Sequence, residues 1–113
     1  MPKQFKKGIV DAVKGVKKAI EANPYNGIKT AALASEAGIS RNVLQEVFKA
    51  RYGTSIGQYK LKLRMMEAKY LLDTGKSIKE IAIILQYSSP SSFTNGFRNY
   101  YGSSPSEWLS SRK

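Results

Sequence analysis

Five polar side chains between positions 41 and 49 have the types and spacing needed to read the edges of base pairs. Asn42, Gln45, Glu46 and Lys49 fall at i, i+3, i+4 and i+7, one face of an α-helix, with Arg41 just before them. Arginine can pair with guanine, asparagine or glutamine with adenine, and glutamate with the amino group of cytosine. Leu44, Val47 and Phe48 occupy the opposite side, where an anchoring apolar face would have to be. An ordinary solvated helix would carry similar residues, so the face alone decides nothing between the two readings. Ser40 stands immediately before it and predicts the helix N-cap.

A repeat favours the DNA reading. The pattern Ser40, Leu44, Phe48-Lys49, Tyr52-Gly53, Ser55 and Tyr59 returns 49 residues later, without a gap, as Ser89, Phe93, Phe97-Arg98, Tyr101-Gly102, Ser104 and Trp108. Each copy follows a short apolar helix pattern, Leu33-Ala34 to Ala37 or Ile81-Ala82 to Leu85. Two short helices joined by a tight turn, present twice, predict two helix-turn-helix units. The second polar face is Ser91, Thr94, Asn95 and Arg98, anchored by Phe93, Phe97 and either Tyr100 or Tyr101. Its side chains are shorter than those of the first. Gly96 weakens this helix by about 1 kcal/mol relative to alanine. It either lets the backbone approach a phosphate or a neighbouring helix, or is filler.

These faces need scaffolding, and the chain predicts seven helices and no strand. The first covers Phe5 to Ala22, with Ile9, Val13, Val16 and Ile20 on one stripe and Lys14, Lys17 and Lys18 off it. Asn23-Pro24 ends it and Tyr25-Asn26-Gly27 makes the turn. A basic amphipathic helix can lie on a membrane, but this one lacks Trp and Leu and is followed by further helices, which favours packing in a bundle. Thr30 is expected to cap the second helix, with Leu33, Ala34 and Ala37 inward and Gly38 at the turn. After the third helix, stopped by Gly53, Ser55 opens a long one to about Asp73, with Gly75 past its end, on the order of 28 Å long. Its stripe Leu61, Met65, Ala68 and Leu72 is expected to contact both units and make it a rigid spacer. Ser77 with Glu80 forms a capping box before a helix burying Ile78, Ile81, Ala82 and Leu85. Ser89 with Pro90 starts the sixth helix, and Ser104, Pro105 and Glu107 start the seventh.

Composition narrows the function classes. The 113 residues carry 19 Lys and Arg against 8 Asp and Glu, a net charge of +11 that implies a polyanionic partner. The chain has no Cys and no His. Disulfides, zinc fingers, a Ser-His triad and thiol or imidazole catalysis are excluded. The eight carboxylates show no pairing that suggests general acid–base work, so no catalytic residue, metal site or cofactor is expected. No apolar run approaches the ~20 residues of a membrane span, and lysines interrupt the N-terminal region too often for a signal peptide. A cytoplasmic location is expected, with no membrane partner and no small-molecule site evident.

In order and spacing, the residues resemble the AraC/XylS-type bacterial transcription regulators from about Ile9 to Trp108. The carriers are Leu33-Ala34, Gly38, Ser40, Leu44, Phe48-Lys49, Gly53, Ser55, Tyr59, Arg64, Ala68, Leu71-Leu72, Ile78, Ile81-Ala82, Tyr87, Ser89, Phe93, Phe97-Arg98, Gly102, Ser104-Pro105 and Trp108. The resemblance implies an all-α domain over 1–113, with helix-turn-helix units near 5–54 and 75–112 joined by a linker helix over 55–74. It implies two recognition helices in successive major grooves of double-stranded DNA. The base-contacting positions fall on Arg41, Asn42, Gln45 and Glu46, then on Pro90, Ser91, Ser92, Thr94 and Asn95. Arg64 is implied to be structural, tying the linker helix to a neighbour. Two departures stand out. Gln86 precedes Tyr87 where the family usually has Gly, and Pro90 and Gly96 replace residues that often carry longer side chains. Family members usually carry a separate effector or dimerisation domain, so the chain is expected to be either a stand-alone member or the DNA-binding piece of a larger effector-responsive regulator. A helical module recruiting RNA polymerase is the alternative reading.

Overall fold

The computed structural model describes residues 6–24 and 29–112. Seven α-helices and no strand occur among them: α1 Lys7–Ala22, α2 Thr30–Ala37, α3 Arg41–Tyr52, α4 Ile56–Asp73, α5 Ile78–Ile84, α6 Pro90–Tyr101 and α7 Pro105–Ser111. The chain divides into two compact units, Met1–Leu61 and Lys62–Lys113, so that α4 begins in the first and ends in the second.

Helix starts follow local chemistry. The hydroxyl oxygens of Ser40, Ser77, Ser89 and Ser104 each accept from the backbone N–H three residues on, at 3.0–3.1 Å. Glu80 and Glu107 return the bond to the cap N–H, completing two capping boxes. Ser55 accepts from the Gln58 N–H at the start of α4. Thr30 is not a cap. Lys29 holds that position in an extended conformation, and its carbonyl accepts from Ala32 and Leu33, which makes Thr30 the first helical residue. The expected start at Phe5 and the Tyr25-Asn26-Gly27 turn lie outside the described residues.

The first unit buries Val13, Val16 and Ile20 of α1 with Leu33 and Ala34 of α2, Leu44, Val47 and Phe48 of α3, and Ile56 of α4. Ile9 and Ala37 are only half-buried, at the edges of their stripes. In the second unit the core is Met65, Ala68, Leu71 and Leu72 of α4, Ile81, Ala82 and Leu85, and Phe93 and Phe97 of α6. Ile78, the first residue of α5, is half-buried. Leu61 does not continue the α4 stripe, being 37% exposed; the buried residues of α4 are Ile56 in the first unit and Met65, Ala68, Leu71 and Leu72 in the second.

Both α2–α3 and α5–α6 turn through a residue in the left-handed region. Gly38 has φ 74° and Gln86 has φ 63°. The bonds around them match: Gly38 and Ile39 donate to the carbonyls of Ser35 and Ala34, and Gln86 and Tyr87 to those of Ile83 and Ala82. A glutamine here does a glycine's task against the Cβ–carbonyl repulsion that glycine lacks.

Candidate nucleic-acid interface

α3 is held by a fully buried anchor. Leu44 and Phe48 are completely inaccessible and Val47 nearly so. Helical geometry then forces the intervening residues outward, and Arg41, Asn42, Gln45, Glu46 and Lys49 are all exposed. Ser40 is exposed, with its hydroxyl committed to the Val43 N–H as a cap. Gly53, at φ 74°, ends the helix just past Lys49 and Arg51, whose charges suit its negative C-terminal end.

α6 repeats this arrangement on Phe93 and Phe97, both inaccessible. Tyr101 is the half-buried aromatic at its end and packs tilted on Phe97, with ring centres 4.8 Å apart, whereas Tyr100 is 40% exposed. Pro90, Ser91, Asn95 and Arg98 are exposed; Ser89, Ser92 and Thr94 are half-buried. Ser92 is already engaged: its hydroxyl lies 3.0 Å from that of Ser88 and accepts from that of Ser89 at 3.1 Å. The exposed face of α6 is therefore narrower and shorter-armed than that of α3.

Gly96 faces inward. A Cβ there would lie 3.3 Å from the Tyr87 hydroxyl oxygen, so its role is close approach of α6 to the residue after the turn. Tyr87 in turn packs on Phe93, with ring centroids 5.6 Å apart, and under the Arg64 guanidinium at 5.0 Å. Arg64 thus ties α4 to the second helix-turn-helix.

Charge favours an anionic partner for both units. Met1–Leu61 has eleven basic and four acidic residues, and Lys62–Lys113 eight and four. Several carboxylates are held below the usual range by neighbours. Glu21 is lowered by Lys17 and then the Tyr59 hydroxyl, Asp73 by Arg112, and Glu80 and Glu107 by their cap N–H groups. Burial and the bond to Glu21 raise Tyr59. Among the described residues no His, Cys, Asp and Glu group could hold a metal, and no helix is long and apolar enough to cross a membrane. An open groove of about 310 Å³ runs between α1 and α2, lined by Ala12, Gly15, Ala19, Leu33, Glu36 and Ala37 among others.

Residues 33–111 match the family described as "Helix-turn-helix domain". A crystal structure of a transcriptional regulator from Chromobacterium violaceum, described as containing an AraC-type DNA-binding domain, is 32% identical, covers 90% of this chain and 92% of that one, and superposes with a TM-score of 0.75. The chain belongs to the AraC/XylS-type DNA-binding domains. A probable transcription factor, PqrA of Proteus vulgaris, is 32% identical over 99 residues, covering 87% of this AraC-type domain and 80% of that protein. The Msm operon regulatory protein of Streptococcus mutans is 34% identical over 97 residues, covering 85% of this chain and 35% of that protein. Against several curated relatives the AraC-type domain thus spans about a third of their length. The DNA-binding domain of AdpA, solved in complex with a target DNA, has a TM-score of 0.79 at 25% identity, over 88% of this chain and 91% of that one.

Two groups of residues had no place in the reading of the recognition faces. Tyr87 supports Gly96, and Lys17 and Lys69 lie over aromatic rings rather than reaching outward. A faint signal for the lysines exists in the sequence: each is followed four residues later by a carboxylate, Glu21 or Asp73.

Proposed function

We propose that this AraC-type domain reads duplex DNA as the sequence-specific part of a transcription regulator, with α3 and α6 as recognition helices in successive major grooves and α4 as their spacer. The observation that carries this is the α3 face: five exposed polar side chains, Arg41, Asn42, Gln45, Glu46 and Lys49, on a helix whose opposite side is wholly buried. The likeness to the DNA-bound AdpA domain supports it.

The two units divide the work. Arg41, Asn42, Gln45 and Glu46 are long enough for directed base contacts, and Lys49 extends the same face toward phosphate. On α6 only Asn95 and Arg98 reach far, and Ser92 is held by its neighbours. The second unit therefore chiefly positions the protein on the backbone, through Ser91, Thr94, Asn95, Arg98 and the helix N-terminus at Ser89 and Pro90. No catalysis is part of this function, and a cytoplasmic regulator, alone or as part of a larger effector-responsive protein, fits it. RNA polymerase is a candidate second partner. The exposed Met66, Tyr70 and Ile83, at 54%, 61% and 67%, favour a protein contact on the second unit. A gel-shift series with promoter fragments against random duplex tests the reading. Sharp preference supports it, and absence of duplex binding would leave protein recruitment as the function.

A further inference from the structure

Two lysines that take no part in the recognition faces sit in a repeated arrangement. Lys17 and Glu21 of α1 recur 52 positions later as Lys69 and Asp73 of α4. At the same offset the buried Val13, Val16 and Ile20 recur as the buried Met65, Ala68 and Leu72. α1 and α4 therefore play the same part in their respective units, although the offset differs from the 49 residues that relate α3 to α6.

The ammonium groups meet equivalent partners. Lys17 Nζ lies 5.2 Å from the ring centre of Tyr52 and 5.4 Å from that of Tyr59. Lys69 Nζ lies 3.7 Å from that of Tyr101 and 5.3 Å from that of Trp108. Tyr52 and Tyr101 are the last residues of α3 and α6. Tyr59 and Trp108 lie in the first turns of the helices that follow, α4 and α7. A carboxylate one turn along completes each group. Glu21 accepts from Lys17 at 2.8 Å and from the Tyr59 hydroxyl. Asp73 accepts from Arg112, whose guanidinium lies 4.7 Å over Trp108. Between the paired rings the chain turns through Gly53 or Gly102, both at positive φ. In each unit the cation bridges that turn.

We propose that Lys17 and Lys69 are positioning residues for DNA binding. Each clamps the end of a recognition helix to the next helix and so sets how the recognition face meets the groove, without touching DNA. This rests on the DNA reading given above. A lysine that binds phosphate releases a counterion and appears in the salt dependence of affinity, whereas a clamping lysine does not. The two roles are thus separable by measurement.

The test uses the whole chain with Lys69→Gln, Lys69→Arg, Lys17→Gln and, as a phosphate-contact reference, Arg98→Gln. Lys69→Gln should weaken binding about two- to fivefold, the scale of one exposed cation–π contact. The slope of log affinity against log salt should stay at the wild-type value, and Lys69→Arg should restore affinity. Arg98→Gln should reduce the slope by about 0.9. In the free protein Lys69→Gln should change the emission of Trp108, the one tryptophan, while Lys17→Gln leaves it unchanged. Lys17→Gln, an independent variant in the first unit, should lower affinity similarly and blunt base preference under α3. Wild-type affinity in both glutamine variants overturns the clamp, and so does a slope reduced as far as in Arg98→Gln. If the wild-type chain itself binds no duplex, the DNA reading fails first; binding by wild type with indifferent lysine variants overturns the clamp alone.

Discussion

Substitution at Gly96 separates a packing role from a helix-weakening one. In an unconstrained helix interior, alanine would be favoured over glycine by about 1 kcal/mol. Here the new methyl would sit 3.3 Å from the Tyr87 hydroxyl oxygen and 3.5 Å from Cε1. Those are only a few tenths of an ångström tighter than easy contact, and the neighbour is the far end of a half-buried side chain. Tyr87 is not free to leave, because Phe93 supports one part of its ring and Arg64 lies over it. Part of the helix gain is therefore lost, and Gly96→Ala should stabilise by about 0.5 kcal/mol, half of the intrinsic propensity difference. In a Tyr87→Phe background, where the hydroxyl is gone, the same change should recover the full ~1 kcal/mol. Gly96→Leu has no such room. Its branched side chain must displace the ring, and overpacking at ~1–3 kcal/mol outweighs the propensity gain. Urea unfolding followed by Trp108 fluorescence reports on the same unit, with a changed midpoint at constant slope as the readout. If Gly96→Leu is as stable as Gly96→Ala, Gly96 does not pack on Tyr87 and the reasoning is wrong.

Gln86 and Gly38 should respond in opposite directions: Gln86→Gly stabilises by up to ~1 kcal/mol in thermal melts by relieving the left-handed conformation, and Gly38→Gln costs ~1 kcal/mol. Binding should be strongly salt-dependent, with a log–log slope of about −5 to −7 for 5 to 8 neutralised phosphates; a titration slope near zero would remove the electrostatic account. Stability should fall in acid. Glu21, Asp73, Glu80 and Glu107 are held below their ordinary values, so their contribution is complete above pH ~5 and is lost as pH falls through the folded values. With no His or Cys, affinity should be nearly flat between about pH 6 and 7.5, and a steep dependence measured there would contradict the assignment.

What could be read in advance was what depends on neighbours in sequence. The four serine caps, the glycines closing α3 and α6, and the outward turn of Arg41, Asn42, Gln45 and Glu46 all follow from spacing within one helix. Thr30 misled because threonine is a good cap by type, while the cap position is set by which carbonyl first accepts, here that of Lys29. Leu61 misled because a stripe extrapolated along α4 assumes one inward face throughout, whereas Leu61, the last residue of the first unit, is exposed. Gly96 was ambiguous because its partner, Tyr87, is brought to it by the turn at Gln86. The lysine clamps were hidden for the same reason: a lysine at helical spacing looks solvent-facing until the aromatic residues of two later helices are placed beside it.

The central claim is that α3 reads bases while α6 mainly holds the backbone, and a single-base substitution scan across both half-sites tests it most directly. Positions under α3 should each cost ~1–3 kcal/mol when changed, and Gln45→Ala should abolish the preference at one of them. Positions under α6 should be tolerant, and Arg98→Ala should weaken all duplexes alike. A half-site under α6 as sequence-sensitive as that under α3 would contradict the account and make Ser91, Thr94 or Asn95 direct readers of sequence.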